Sequence, residues 1–409
     1  MTSAVFSPFT LPCGAVLPNR LAKAAMEENM ADKGQIPGPT ILRLYQRWAE
    51  GGTGLLITGN VMVDGRAMTG PGGIVLEKDS ELAPFQAWAQ TVKKNHSHIW
   101  MQINHPGRQV YAAMGGDVLS PSDVSLDLGK HSHLFGKPRA MTHEDIEQLV
   151  QRFVDTAVKA EQAGFDGVQI HGAHGYLISQ FLSPLTNKRT DEFGGSIENR
   201  MRLLISVIKA VRAQVAPSFA VSVKLNSADF QRGGFDADDA KAVVLAMRGL
   251  GVDLVELSGG SYESPAMQGT TADGRTLQRE AYFLTFAAEI AQVASMPMMT
   301  TGGVRRLAVA ESVLAQGIDI VGMGTALAMN PSLPNDWQHN EQLSAHDPAV
   351  RWKDKTLSAI ATMAVIKRQL QRMGQGKTPK TNASPLFSLI SDRIRLKKLT
   401  KRYQDYLAK

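Results

Sequence analysis

From about residue 20 to residue 330 the chain alternates short apolar runs with longer stretches whose apolar positions recur at helical spacing. The runs Arg20–Met26, Leu55–Asn60, His98–Asn104, Ala220–Asn226 and Pro297–Gly303, with a run around Val168 and Ile170, are too short for helices. They read as strands buried on both faces. Between them lie predicted helices over Thr40–Glu50 and Glu81–Asn95. A further helix opens at Thr142, carries Asp145 in its first turn, and repeats Ile146, Leu149, Val150, Phe153, Val154, Ala157 and Val158 on one side up to Gly164. Three segments echo one another: AGFDGVQI (163–170), LGVDLVEL (250–257) and QGIDIVGM (316–323). Each is a helix closed by glycine, then an apolar residue, an Asp and a buried strand, which is the helix-to-strand joint of a parallel sheet.

Eight strands alternating with helices predict an α/β fold, the (β/α)8 TIM barrel. A doubly wound open sheet lacks support, because no strand is followed by G-x-G-x-x-G. Residues 1–18, with Gly14 and two prolines, predict a hairpin capping one end. Lys353–Met373 and Leu386–Leu407 predict two more helices, joined by GQGKTPKTNASP. The expected division is a barrel with its cap over 1–336 and a basic helical extension over 337–409. A long irregular excursion, about His105–Met141, is expected to be a lid or binding loop.

Composition narrows the class. With 409 residues, 43% hydrophobic and 20% charged, the chain suits a globular protein with one large core. No apolar run reaches membrane-spanning length, and MTSAVFSPFT lacks the basic start and apolar stretch of a secretory signal, so a cytoplasmic location is expected. The lone Cys13 agrees, and excludes a disulfide framework, a cysteine-based zinc site and an iron–sulfur cluster carried by this chain. The formal charge of +6 is uneven: residues 351–409 hold 15 Lys and Arg against 3 Asp and Glu, so the tail carries +12 and the rest −6. A solvated helical face accounts for such a run, and no aromatic-interleaved motif points to nucleic acid. A homo-oligomer is left open.

Chemistry collects where the strands stop. Met26 and Glu27, Asn60, Gln102, His171 and His174, Lys224, Gly302 and Gly303, and Gly324 and Thr325 each follow or end an apolar run, so one cavity at the C-terminal face should receive them all. Glycines after strands seven and eight let backbone N–H groups approach a phosphate. Two imidazoles and the Tyr176 phenol fall within six positions.

The stretch HGAHGYLISQFLSPLTNKRTDEFGGSIENR, with NRLAKAAM, WMQINHPGR, VKLNSADF and TTGGVR around it, resembles the old yellow enzyme family of FMN-dependent ene-reductases, from about Pro18 to Pro331. The resemblance implies bound FMN, with NADH or NADPH as reductant and a small activated alkene as substrate. It implies that His171 and His174 bind the substrate's carbonyl or nitro oxygen and that Tyr176 supplies a proton. Ala24, Ala25 and Met26 would pass along the flavin ring, with Asn60 near its polar edge. Gln102 would meet the pyrimidine edge, Lys224 the region of N1 and O2, and Gly302, Gly303, Gly324 and Thr325 the phosphate. Two positions depart from the pattern: Glu27 replaces a common Thr or Cys, and Thr325 a common Arg. Arg305 is a candidate substitute for that Arg. Two other readings of the residues stay open at this point: a flavin-free barrel lyase or isomerase using His171 and His174 as acid and base on a phosphorylated substrate, and a ligand- or metal-binding barrel without catalysis. No metal site is expected, because no third ligand stands near the two histidines.

Overall fold

In a computed structural model, which describes residues 3–268 and 280–409, eight parallel strands close into a barrel. They are β1 (Leu21–Lys23), β2 (Leu55–Ile57), β3 (His98–Asn104), β4 (Gly167–Gly172), β5 (Ala220–Asn226), β6 (Leu254–Ser258), β7 (Met298–Thr300) and β8 (Ile320–Met323). Each pairs in parallel with the next, and β8 returns to β1, so the eight strands close into a ring. This is the predicted (β/α)8 barrel.

The three echoing segments explain how the strands are aligned. Gly164, Gly251 and Gly317 all take positive φ, ending the preceding helix as a residue with a Cβ would resist doing. The aspartate two residues later then accepts from the first N–H groups of the preceding strand. Asp166 takes Ile99 N at 2.9 Å, Asp253 takes Val221 N at 2.8 Å, and Asp319 takes Met298 N at 2.9 Å. These caps satisfy backbone donors at the N-terminal rim and set strand register from local sequence.

At that same rim the antiparallel pair Phe9–Thr10 and Val16–Leu17 covers the barrel, as the prolines and Gly14 predict. Leu11 and Leu17 pack on inward-facing Ala22, Leu55, Ile57, Trp100, Leu254 and Met299, plugging one end with apolar side chains. Water and ligands are left the other end.

Thr142 caps the helix His143–Gln162 through a reciprocal capping box with Asp145, as its spacing suggests. One element goes beyond the sequence reading: after His174, Leu177–Leu182 forms a short, wholly buried helix. The excursion after β3 is not featureless either, since Leu119–Ser120 pairs with Arg139–Ala140 and two 3-10 turns fill the interval.

The C-terminal helices run over Lys355–Gly374 and Pro385–Leu407. The first packs along helix Pro39–Glu50, where Arg43 Nη1 donates to Gly374 O at 3.2 Å. The second lies on the loops that follow β1, β2 and β3: Arg395 donates to Asn29 O, Arg402 to Ala31 O at 2.6 Å, Tyr403 to Gly65 O at 2.9 Å and Gln404 to Ala113 O at 2.7 Å. The expected solvated basic face is therefore only part of the picture, because two of its guanidiniums cap carbonyls of barrel loops. Among the described residues no helix is long and apolar enough to cross a membrane.

Candidate active site

β4 ends in a tight loop that turns three side chains toward each other. His174 takes a left-handed backbone, φ +62°, which costs a non-glycine residue on the order of 1–3 kcal/mol. It is held there from two sides: its N–H donates to Asn226 Oδ1 at 3.1 Å, and its carbonyl accepts from Gln109 Nε2 at 3.0 Å. The consequence is convergence. The His171 ring centroid lies 5.1 Å from that of His174 and 4.9 Å from that of Tyr176, edge to face in both cases.

The protonation states follow from the surroundings. His171 Nδ1 accepts from Ala173 N at 3.2 Å, so the neutral ring carries its proton on Nε2 and donates from there. Burial, and then the charge of Lys224, hold both imidazoles well below the usual histidine range, with His171 adding to the effect on His174. His174 Nε2 lies 2.8 Å from Ser258 Oγ. The Tyr176 hydroxyl is 3.1 Å from that of Tyr262. Burial first, and then the Glu27 carboxylate, push the Tyr176 phenol above its ordinary value, so it stays protonated.

Beneath these groups runs a buried polar chain. Gln102 Nε2 donates to Gln169 Oε1 at 2.8 Å, and Gln169 Nε2 donates to Glu256 Oε2 at 2.8 Å. The other carboxylate oxygen of Glu256 lies 2.8 Å from Lys224 Nζ, and both side chains are buried. Register brings this about, since His171, Lys224 and Glu256 are lateral neighbours across β4, β5 and β6.

On the β1 and β2 side a second network sits behind the cavity wall. Lys23, fully buried, donates to Ile57 O at 2.7 Å and Tyr45 OH at 3.1 Å, with Glu28 Oε1 at 3.4 Å. Burial outweighs the pull of Glu28 and brings this amine down to about 8. Tyr45 OH and Gly59 N donate to the same Glu28 oxygen at 2.5 and 3.2 Å. The loop after β1 is thereby pinned to the loop after β2. That fixes Ala24, Ala25 and Met26 on one and Asn60 on the other. Glu27 accepts a short hydrogen bond from Thr69, which also receives Asn60 Nδ2 at 3.4 Å, and among the described residues no cation pairs with Glu27.

At the ends of β7 and β8 a Cβ on Gly303 would lie 2.6 Å from the Tyr282 ring, and one on Gly302 would lie 2.8 Å from Tyr282 N, so both positions need glycine. Gly324 precedes the short helix Thr325–Met329, with Thr325 at its first position. Arg305 is already engaged, 3.3 Å from Asp347 and 3.9 Å from Glu280, and its N–H donates to Glu280 at 2.8 Å. Its charge is spent on this surface network, which counts against Arg305 as the substitute phosphate ligand.

The excursion after β3 closes the remaining side. Tyr111 stacks on Phe135 at 4.6 Å, Phe135 meets Tyr262 at 6.0 Å, and Tyr262 meets Tyr176 at 6.0 Å. Arg108 ties the excursion to the loop after β6, donating to Glu263 at 2.6 Å.

Residues 4–344 match the model of the NADH:flavin oxidoreductase / NADH oxidase family. The chain belongs to that family. It is 36% identical over 362 residues to the NADH-dependent flavin oxidoreductase iliE of Hypocrea jecorina, covering 83% of this chain and 90% of that one. Against the NADH-dependent flavin oxidoreductase iccE of Talaromyces variabilis the identity is 35% over 360 residues, with coverage of 82% and 86%. In fold it is similar to the old yellow enzyme homologue from Zymomonas mobilis, with a TM-score of 0.72, 24% identity, and 84% and 95% of the two chains covered.

As a member of this NADH:flavin oxidoreductase family, the chain is an FMN-dependent oxidoreductase using NADH or NADPH, and a flavin-free lyase or isomerase is not favoured. The residues present suit the flavin. Lys224 is a buried ammonium whose one partner among the described residues is Glu256, leaving donors for a ligand. Among the described residues no donor meets the Gln102 side-chain oxygen, and Gly302, Gly303 and Gly324 follow β7 and β8, where a phosphate would enter.

The residues singled out from sequence lie at or just after the strand ends on the C-terminal rim of one barrel, except Arg305, which is engaged with Asp347 and Glu280. Several others were missed. Gln169 and Glu256 carried a signal, a polar residue in the middle of each apolar run VQI and LVEL. Tyr262, Tyr45 and Glu28 carried none, because their partners are 86, 22 and 17 residues away.

Proposed function

We propose that this oxidoreductase reduces the activated C=C bond of α,β-unsaturated carbonyl or nitro compounds by a ping-pong cycle. The observation that carries the reading is the convergence of two neutral imidazole donors and a protonated phenol at one strand end. When bound, FMN takes hydride from NADH or NADPH and passes it to the alkene. His171, through Nε2–H, and His174 donate hydrogen bonds to the carbonyl or nitro oxygen, drawing electron density from the double bond. With Ser258 donating to its Nε2, His174 offers Nδ1–H to the substrate. Tyr176 gives its proton to the carbon next to the activating group, and its burial excludes competing water. Gln102 and Lys224 would hold the pyrimidine side of the flavin, Ala24, Ala25 and Met26 would pass along its ring, Asn60 would lie near its polar edge and Glu27 close to O4. Gly302, Gly303, Gly324 and Thr325 would receive the phosphate.

Residues 337–409 are proposed to act as an extension of the barrel, supported by the carbonyl caps that Arg395 and Arg402 provide. The lone cysteine supports a cytoplasmic enzyme. Anaerobic reduction with NADH or NADPH, followed by mixing with a panel of enones, enoates and nitroalkenes, tests the assignment. Reoxidation of the flavin by members of the panel, with one saturated product per flavin, is the expected result. Reoxidation by oxygen alone would defeat it.

A further inference from the structure

We infer that Glu256 is a positioning residue: by pairing with Lys224 and orienting Gln169 and Gln102, it sets the charge and the hydrogen-bonding atom that the barrel presents to bound FMN. The inference rests on the proposed placement of Lys224 and Gln102 at the flavin.

Glu256 is fully buried in the middle of β6, and an ionised carboxylate can only accept hydrogen bonds. Gln169 must therefore turn its NH2 toward Glu256 Oε2, which turns its carbonyl toward Gln102. Gln102 answers with its own NH2. The atom left over on Gln102 is Oε1, an acceptor. The pyrimidine edge of an isoalloxazine carries an N–H between two carbonyls, so an acceptor is the atom it needs there. A neutral amide at position 256 could donate as well as accept, and nothing would then fix the direction of the chain.

Lys224 supplies the charge. Its ammonium is nine-tenths or more buried, and Glu256 Oε1, 2.8 Å away, is its one anionic partner among the described residues. Negative charge gathers on the pyrimidine side of a reduced flavin, and a bare lysine there would favour reduction strongly in a low-dielectric site. Paired with Glu256, it acts as one end of a dipole, so reduction is favoured less. Packing offers no reason for a carboxylate at this position. Met299, the next residue across in register on β7, fills its place with an apolar side chain. Breaking a buried ion pair leaves a charge uncompensated, so each partner's loss should move the flavin in an opposite direction.

The test uses the FMN-loaded enzyme and the variants Glu256→Gln, Lys224→Met and the two combined. Flavin identity and occupancy are measured first, by absorbance and by mass after denaturation. A wild type without FMN would refute the site assignment and leave nothing for Glu256 to tune. With FMN bound, two readouts report the ring without turnover: the midpoint potential against reference dyes, and the affinity for sulfite, a nucleophile that senses the electron demand of oxidised flavin. Glu256→Gln should raise the potential and tighten sulfite binding about tenfold, whereas Lys224→Met should lower the potential and weaken sulfite. If Glu256→Gln alone fails to fold or to hold FMN, the comparison of Lys224→Met with the double variant takes its place, and the second change should bring the potential back up. Shifts in the same direction for both single variants, or a loss of thermal stability with unchanged potential and sulfite affinity, would overturn the inference.

Discussion

At His171 and His174, burial and the Lys224 charge act in the same direction, so neither ring takes a proton near neutrality and both remain hydrogen-bond donors of fixed polarity. Replacing both by alanine should weaken the binding of a phenolic ligand, followed by its charge-transfer band, at least about tenfold, the equivalent of one or two lost hydrogen bonds. FMN content should be unchanged, because these donors are proposed to face the substrate and not the flavin phosphate. The Tyr176 phenol is raised by burial and by Glu27, and a raised phenol stays protonated as pH climbs. These residues were legible in the sequence because polar groups at strand ends interrupt an apolar pattern. Glu256 interrupts it just as plainly, yet it stands mid-strand, where a polar residue reads as a satisfied core group. Its importance appears only when register sets it beside Lys224. The Lys23–Tyr45–Glu28 network was illegible for a different reason: an inward tyrosine on an amphipathic helix looks like any other core residue, and only the closed barrel shows a buried ammonium beneath it.

Among the elements, the barrel strands and their helices were readable because each repeats one period and each ends on a glycine, aspartate or capping pair. The C-terminal helices were readable as helices, but not as a brace. Tyr403 illustrates the difference. Its ring is fully buried among Met62, Met68, Val75 and Met114, which lie on the loops after β2 and β3, and its hydroxyl reaches Gly65 O. Nothing in RIRLKKLTKRYQDYL announces that contact, since the partner surface is assembled from loops some 300 residues earlier in the chain. Truncating it opens a cavity and strands a carbonyl, so Tyr403→Ala should destabilise the fold by about 3–5 kcal/mol, read from denaturant unfolding. The same variant should release FMN more readily than wild type at equal temperature, because the braced loops border the proposed flavin site. An unfolding free energy within about 0.5 kcal/mol of wild type would show that the helix merely rests on the barrel.

For the molecule as a whole, the buried imidazoles set an acid limit. Burial brings His105 down to about 4, and His171 and His174 are also held well below their unfolded values. As pH falls through the unfolded pKa of about 6.5, the unfolded chain takes up protons that the native state refuses. Stability is therefore lost from about pH 6.5 downward, and for His105 the loss continues until about pH 4. Each group contributes up to about 1.4 kcal/mol per pH unit. Melting temperatures recorded from pH 7.5 to 5 should fall accordingly, and His105→Asn should flatten the slope by one proton. In the proposed cycle hydride enters and leaves through the flavin, and the alkene that receives it is protonated by Tyr176. Stopped-flow measurement of both half-reactions in Tyr176→Phe tests it most directly. Flavin reduction by NADH or NADPH should keep the wild-type rate, while reoxidation by an enone should slow about a hundredfold. Equal losses in both halves, or an undiminished alkene half-reaction, would contradict it.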